Sequence, residues 1–211
     1  MKRDKKSVSR RIILTGAALA VPGVLAATPV RAGVRASAAR AAAIDPDLLR
    51  RAREAFERHA DQIVHKDLVA IADYGLHSST PRFHLYEPEA RRLQSFRVAH
   101  GKGSDPRHTG YLQSFSDRPG SAASSEGAYL TGEHYSGQHG ASQRLVGLDA
   151  ENQNAMDRAI VIHGAWYCEP SMVTNTGKLG RSEGCFAFSA ADAATVLARL
   201  SPGHLLFSSR A

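Results

Sequence analysis

Two stretches of this chain hold the residue types that acyl transfer to sulfur requires. Ile160-Val161-Ile162-His163-Gly164 is an apolar β-type run that delivers a histidine to its end. Leu179-Gly180-Arg181-Ser182-Glu183-Gly184-Cys185-Phe186-Ala187 is a polar turn with a glycine directly before a cysteine, 22 positions after that histidine. A free thiol of pKa about 8.5 is only a few per cent ionised at neutral pH. A histidine within reach takes its proton and later returns it to a leaving amine. Gly184 keeps the backbone beside the sulfur uncrowded. The amides of Gly184 and Cys185 are therefore candidate donors to a developing oxyanion, each typically worth about 3–4 kcal/mol. Ser182 is placed to hydrogen-bond locally and hold the turn.

On spacing alone a structural role for these residues stays open, because the chain has ten histidines and two cysteines. Cys168 lies 17 residues before Cys185. The two could form a disulfide, or Cys168 is a buried thiol beside Trp166 and Tyr167. His134 and His139, with His100 or His163, suggest a metal, but no HExxH or CxxC spacing supports one. Neither metal nor cofactor is expected. His139, followed by Gly140 and Ser142, is read as lining the cleft or stabilising a turn. Arg181 either grips a substrate carboxylate in a fork or faces solvent, and Gly164 is a candidate for substrate contact. Trp166 and Tyr167 read equally as core or as cleft wall, and His100-Gly101 as a strand end with a structural histidine.

The elements that must position these residues are mostly short strands. Arg82 to Tyr86, Leu93 to His100, Glu126 to Thr131, Arg144 to Leu148, Ala159 to His163 and His204 to Ser208 have β character. Gly101 to Gly110 and Ser116 to Ser125 are turn-rich. A helix is read over 44–65, with Asp45 as N-cap, Pro46 at the first helical position, and Leu49, Ala52, Phe56, Ala60 and Ile63 at helical spacing. Ser189 with Asp192 makes a capping box before a second helix, Ala193 to Leu200, which Pro202-Gly203 stops. The fold class is mainly β with a few helices, the domain running over 66–211.

The formal charge of +7 points to nucleic acid only until it is located. Residues 1–32 hold seven of the 27 Lys and Arg and one of the 20 acids, leaving 20 bases against 19 acids elsewhere. A nearly neutral body lacks a nucleic-acid footprint. Those 32 residues read as an export signal: a basic start, Arg10-Arg11, an apolar stretch from Ile12 to Ala27, and Val30-Arg31-Ala32 before a cleavage point. The arginine pair resembles a twin-arginine signal, with a general secretory signal as the alternative reading. Pro22, Gly16 and Gly23 interrupt the apolar stretch, so no membrane span is expected in the mature protein. Residues 33–43 read as a linker, and the destination as periplasm or cell wall.

The site stretches resemble the L,D-transpeptidase (YkuD-like) family, whose members read His-Gly, a loop, then Ser-x-Gly-Cys. The resemblance is closer to its murein L,D-transpeptidase catalytic-domain-like branch. It runs from about residue 73 to residue 208 through Val98-Ala99-His100-Gly101, Phe115-Ser116, Ser124-Ser125-Glu126-Gly127, Thr131-Gly132-Glu133-His134-Tyr135, His139-Gly140 and Arg158 to His163. It implies a single catalytic domain built as a mixed β-sandwich, with Cys185 as nucleophile and His163 as base. The implied partner is a peptidoglycan stem peptide. Cys185 attacks the amide after the third stem residue, the terminal D-amino acid leaves, and an amine of a neighbouring stem resolves the thioester into a 3→3 cross-link. Water as acceptor would make the same site an L,D-carboxypeptidase. Two positions depart from the pattern, Glu183 before Gly184 and Phe186 after Cys185. They leave a non-catalytic wall-binding relative as a rival reading. A zinc-dependent wall peptidase and a thiol–disulfide protein are further rivals.

Overall fold

The computed structural model describes residues 44–211. The export signal read at 1–32 and the linker read at 33–43 lie outside the described residues. Helix α1 (Pro46–Arg58) begins where Asp45 accepts from the Asp47 and Leu48 amides, at 2.9 and 3.2 Å, with Pro46 filling a position that has no use for an N–H. It buries Leu48, Ala52 and Ala55. It stops short of the expected residue 65: the chain turns at His59, whose ring bonds Asp149 at 2.8 Å. Ile63 is still buried in the same apolar cluster, but from beyond the helix.

Eight strands follow: β1 (Val69–Asp73), β2 (Phe83–Glu87), β3 (Arg92–Phe96), β4 (Gly127–Gly137), β5 (Gly140–Gly147), β6 (Val161–Gly164), β7 (Phe186–Phe188) and β8 (Leu205–Ser209). Helix α2 (Pro170–Thr176) precedes β7, and α3 (Ala190–Arg199) lies between β7 and β8. The strands form one mixed sheet in the order β3-β2-β1-β8-β4-β5-β6-β7. The β1/β8 and β6/β7 pairs are parallel and the others antiparallel. The chain leaving β3 then bridges to the far end of that order, with the Ala99 amide donating to Ala187 at 2.9 Å. The sheet thus folds over on itself, a sandwich made from one sheet.

Its interior is held by rings from both ends. Phe83 of β2 meets Phe188 of β7 edge to face at 4.8 Å, and Tyr129 of β4 meets Phe186 at 5.5 Å. Such pairs contribute about 0.5–1.5 kcal/mol beyond the area they bury. The outer face of β1, β8 and β4 is covered by α1 through Val69, Ile71, Ala128, Leu205 and Phe207. Strand β1 is therefore buried on both faces. The Ser189 hydroxyl caps α3 by accepting from the Asp192 amide at 3.2 Å, and α3 packs on the interior through Ala193, Val196 and Leu197.

Candidate active site

Strands β6 and β7 run parallel with Ile162 opposite Phe186 and His163 opposite Ala187. Ile162 and Phe186 both point into the core. Alternation then sends His163 and Ala187 to the other face, and Cys185 directly precedes β7.

His163 is 2% exposed. Its Nδ1 lies 2.9 Å from the Gly164 carbonyl oxygen. A carbonyl only accepts, so Nδ1 carries the hydrogen and Nε2 has the free lone pair. The His139 ring, from the tip of the β4–β5 hairpin, lies flat on the His163 ring, 4.2 Å between centroids and 22° between planes. Burial pushes the His163 pKa down; the Gly164 bond opposes this and the His139 charge adds to it. At neutral pH the imidazole is uncharged and ready to accept a proton.

The Cys185 thiol donates to the Ala159 carbonyl at 3.5 Å. Burial pushes its pKa up; the Val161 amide and the Arg158 guanidinium pull it back, and Glu183 adds a small push upward. Glu183 itself is exposed and ion-paired with Lys102, which draws its charge away from the sulfur. Arg158 is buried and fully engaged: it donates to the carbonyls of Ser116 and Ala123, the Ser125 hydroxyl and the Asp117 carboxylate. The Ala159 carbonyl is aimed by a backbone turn. The Ile160 amide reaches back to the Ala155 carbonyl and the Ala159 amide to that of Met156, with Ala159 in the left-handed region at φ 51°. This is the hydrogen-bond pattern of a helix end, with alanine where glycine is usual.

The turn before Cys185 is tied by Ser182, whose Oγ donates to the Cys185 carbonyl at 2.7 Å and accepts from the Gly184 amide at 3.1 Å. That second bond engages the Gly184 amide, one of the two candidate oxyanion donors. Gly184 has φ +118°, and a Cβ there would sit 2.6 Å from the Ala123 carbonyl oxygen, so both conformation and space demand glycine. From outside, the Ser182 amide bonds the His100 carbonyl at 2.9 Å and the Lys102 amide bonds the Ser182 carbonyl at 2.7 Å.

Arg181 is half-buried, and its Nη1 donates to the Asp105 and Pro106 carbonyls. Gly164 spends its carbonyl on His163 and turns its Cα toward Ala190 and Ala193 of α3. Cys168 and Cys185 are both free thiols; Cys168 is buried, donates to the Ala187 carbonyl at 3.3 Å, and has its pKa pushed up to about 12, by burial foremost. Trp166 is 76% exposed, whereas Tyr167 is largely covered and packs beside Cys168. Among the described residues no three His, Cys, Asp or Glu side chains gather as metal ligands. Sequence reasoning gave no role to Arg158 or Lys102; the Arg158-Ala159 pair ahead of the β6 run was their only visible signal.

The fold thus sets His163 on β6 and Cys185 directly before the parallel strand β7. Residues 40–208 match the family model of the L,D-transpeptidase catalytic domain, and the chain belongs to that family. The matched region takes in α1. No curated protein matches the chain. Among solved structures it is similar to an L,D-transpeptidase from Mycobacterium smegmatis, at 14% identity and TM-score 0.41 over 68% of this chain and 58% of that one. It is also similar to L,D-transpeptidase 3 from Mycobacterium tuberculosis in complex with a faropenem-derived adduct, at 14% and 0.40 over 68% and 60%. The helical cell shape determining protein Pgp2 from Campylobacter jejuni matches at 10% and 0.46 over 74% and 53%. The chain thus spans a little under two thirds of each of these proteins.

Proposed function

We propose that this protein is a peptidoglycan L,D-transpeptidase that acts on stem peptides through a Cys185 thioester, forming 3→3 cross-links or exchanging the terminal D-amino acid. One arrangement carries the proposal: Cys185 directly precedes β7, the parallel neighbour of the strand that carries His163, and His163 Nδ1 is committed to Gly164 with Nε2 free. Both groups are neutral at rest, since burial raises the thiol and lowers the imidazole. Proton transfer from Sγ to Nε2 therefore accompanies attack on the amide carbon between the third and fourth stem residues. The oxyanion forms against the Cys185 amide, and the growing imidazolium returns the proton to the departing amine. The D-amino acid leaves and the thioester remains. An incoming amine gives its proton to His163 as it attacks, and the expelled sulfur takes that proton back. Arg158 stabilises the sulfur's developing negative charge from a fixed position. The same reading places the protein in the periplasm or cell wall, delivered by the signal at 1–32. No described helix is long and apolar enough to cross a membrane.

The test is incubation of the exported domain with a purified disaccharide-tetrapeptide, followed by mass analysis of the products. Release of the D-amino acid with a 3→3 dimer is the expected result. Release with a tripeptide alone identifies water as the acceptor, and no release by folded, reduced protein overturns the proposal.

A further inference from the structure

The His139 side chain is placed where sequence spacing could not put it. Its hairpin extends β4 and β5 past the sheet's body, pairing Gly137 with Gly140 at the tip and Ser142 with His163 further down. Gly140 has φ +73°, so the chain reverses tightly enough to fold the His139 ring back over β6. There the two imidazoles lie face to face. His163 is thus fixed on two sides, at its edge by the Gly164 carbonyl and on its face by His139. Ser142 of β5 turns its hydroxyl to the Gly140 carbonyl, Ala187 of β7 is apolar, and α3 presents Ala190 and Ala193 behind Gly164. A positive charge on the His139 ring would also lower the His163 pKa.

We propose that His139 is a positioning residue for His163: its ring clamps the imidazole in the plane that presents Nε2 for proton transfer, and its removal lets the base rotate and hydrate. The inference rests on His163 being the base. A general base displaced or freed by even a small rotation loses much of its near-attack geometry. The stack, not any contact with substrate, is what His139 supplies.

Two variants separate this from other roles. His139→Phe keeps a flat ring over His163 but carries no charge, and His139→Ala removes the ring. The clamp predicts that His139→Ala lowers kcat about 10-fold with KM within about two-fold of the parent, and that His139→Phe recovers most of the loss. Nuclear magnetic resonance titration of the His163 ring is run beside the kinetics and needs no turnover. Its midpoint is expected to be lowest in the parent, higher in His139→Phe because the neighbouring charge is gone, and highest in His139→Ala because water also enters. A raised KM without rescue by His139→Phe would make His139 a substrate contact and overturn the clamp. So would the same His163 midpoint in all three proteins. If the parent releases no D-amino acid yet the midpoints order as stated, the proposed function fails while the clamp stands.

Discussion

His100-Gly101 and His163-Gly164 are alike in sequence: each histidine ends an apolar β run and precedes a glycine. The structure gives them opposite fates. His100 has both ring nitrogens in use, Nδ1 accepting from the buried Arg82 guanidinium at 2.8 Å and Nε2 donating to Asp105 at 3.3 Å. Burial and then the Arg82 charge hold its pKa at about 3 against the pull of Asp105. Arg82 is fully buried as well, donating to the Val98 and Leu76 carbonyls and lying over the Tyr74 ring. Asp105 in turn accepts from the Thr109 and Gly110 amides, which outweigh its burial and keep its pKa at about 2. His163 commits one nitrogen and keeps the other. A histidine with no spare nitrogen can only build a frame, whereas one with a spare nitrogen is able to take up a proton. The frame reaches the Cys185 turn, because the His100 carbonyl and the Lys102 amide grip Ser182, which ties that turn.

The largest effects should come from crossing the two histidines. His163→Ala is expected to slow acylation of Cys185 by about 10²–10⁴-fold while leaving the denaturation midpoint nearly in place. His100→Ala should do the reverse. It removes one partner each from a buried guanidinium and a buried carboxylate, and should cost about 2–4 kcal/mol in urea unfolding. Equal stability losses in the two variants would erase the distinction between frame and base.

Acidity comes next. An unfolded imidazole titrates near about 6.5, whereas His100 is held at about 3 and His84, chiefly by burial, at about 4. The folded state refuses protons that the unfolded state accepts. This contribution to stability is complete above the unfolded value and is lost as the pH falls toward the folded ones. Urea unfolding at pH 7 and pH 5 should differ by on the order of 1–2 kcal/mol per buried histidine, and a flat profile would contradict their neutral burial. The acid limb of activity should lie below the ordinary histidine range, since His163 is shifted the same way.

The two thiols extend the comparison. Cys185 should be alkylated by iodoacetamide at a rate still climbing above pH 9, while Cys168 stays unmodified in the folded protein; peptide mapping after alkylation distinguishes them. The smallest effect belongs to Glu183→Gln. It removes an exposed charge already paired with Lys102, and should change the alkylation rate of Cys185 by less than about two-fold.

What was legible in the sequence was local. The Asp45 and Ser189 caps, the apolar run into His163 and the glycine before Cys185 are fixed by neighbouring residues, and the structure places them as read. Strand β1 was invisible because Val69–Asp73 is buried on both faces and does not alternate. Strand β4 was read only to Thr131, because an irregularity in register between Thr131 and His134 breaks the period-two pattern. Helix α2 buries none of its seven residues and so carries no apolar stripe. The Arg82–His100–Asp105 frame, the Arg158 cluster and the His139 stack depend on segments far apart in the chain meeting, which no spacing rule encodes.

Intact-mass spectrometry of the purified exported domain after incubation with a carbapenem tests the central claim most directly, with Cys185→Ala and Cys168→Ala run beside the parent. The account predicts one covalent adduct on the parent and on Cys168→Ala, and none on Cys185→Ala. An adduct that survives in Cys185→Ala, or none on a folded, reduced parent, would contradict Cys185 as the acylated nucleophile.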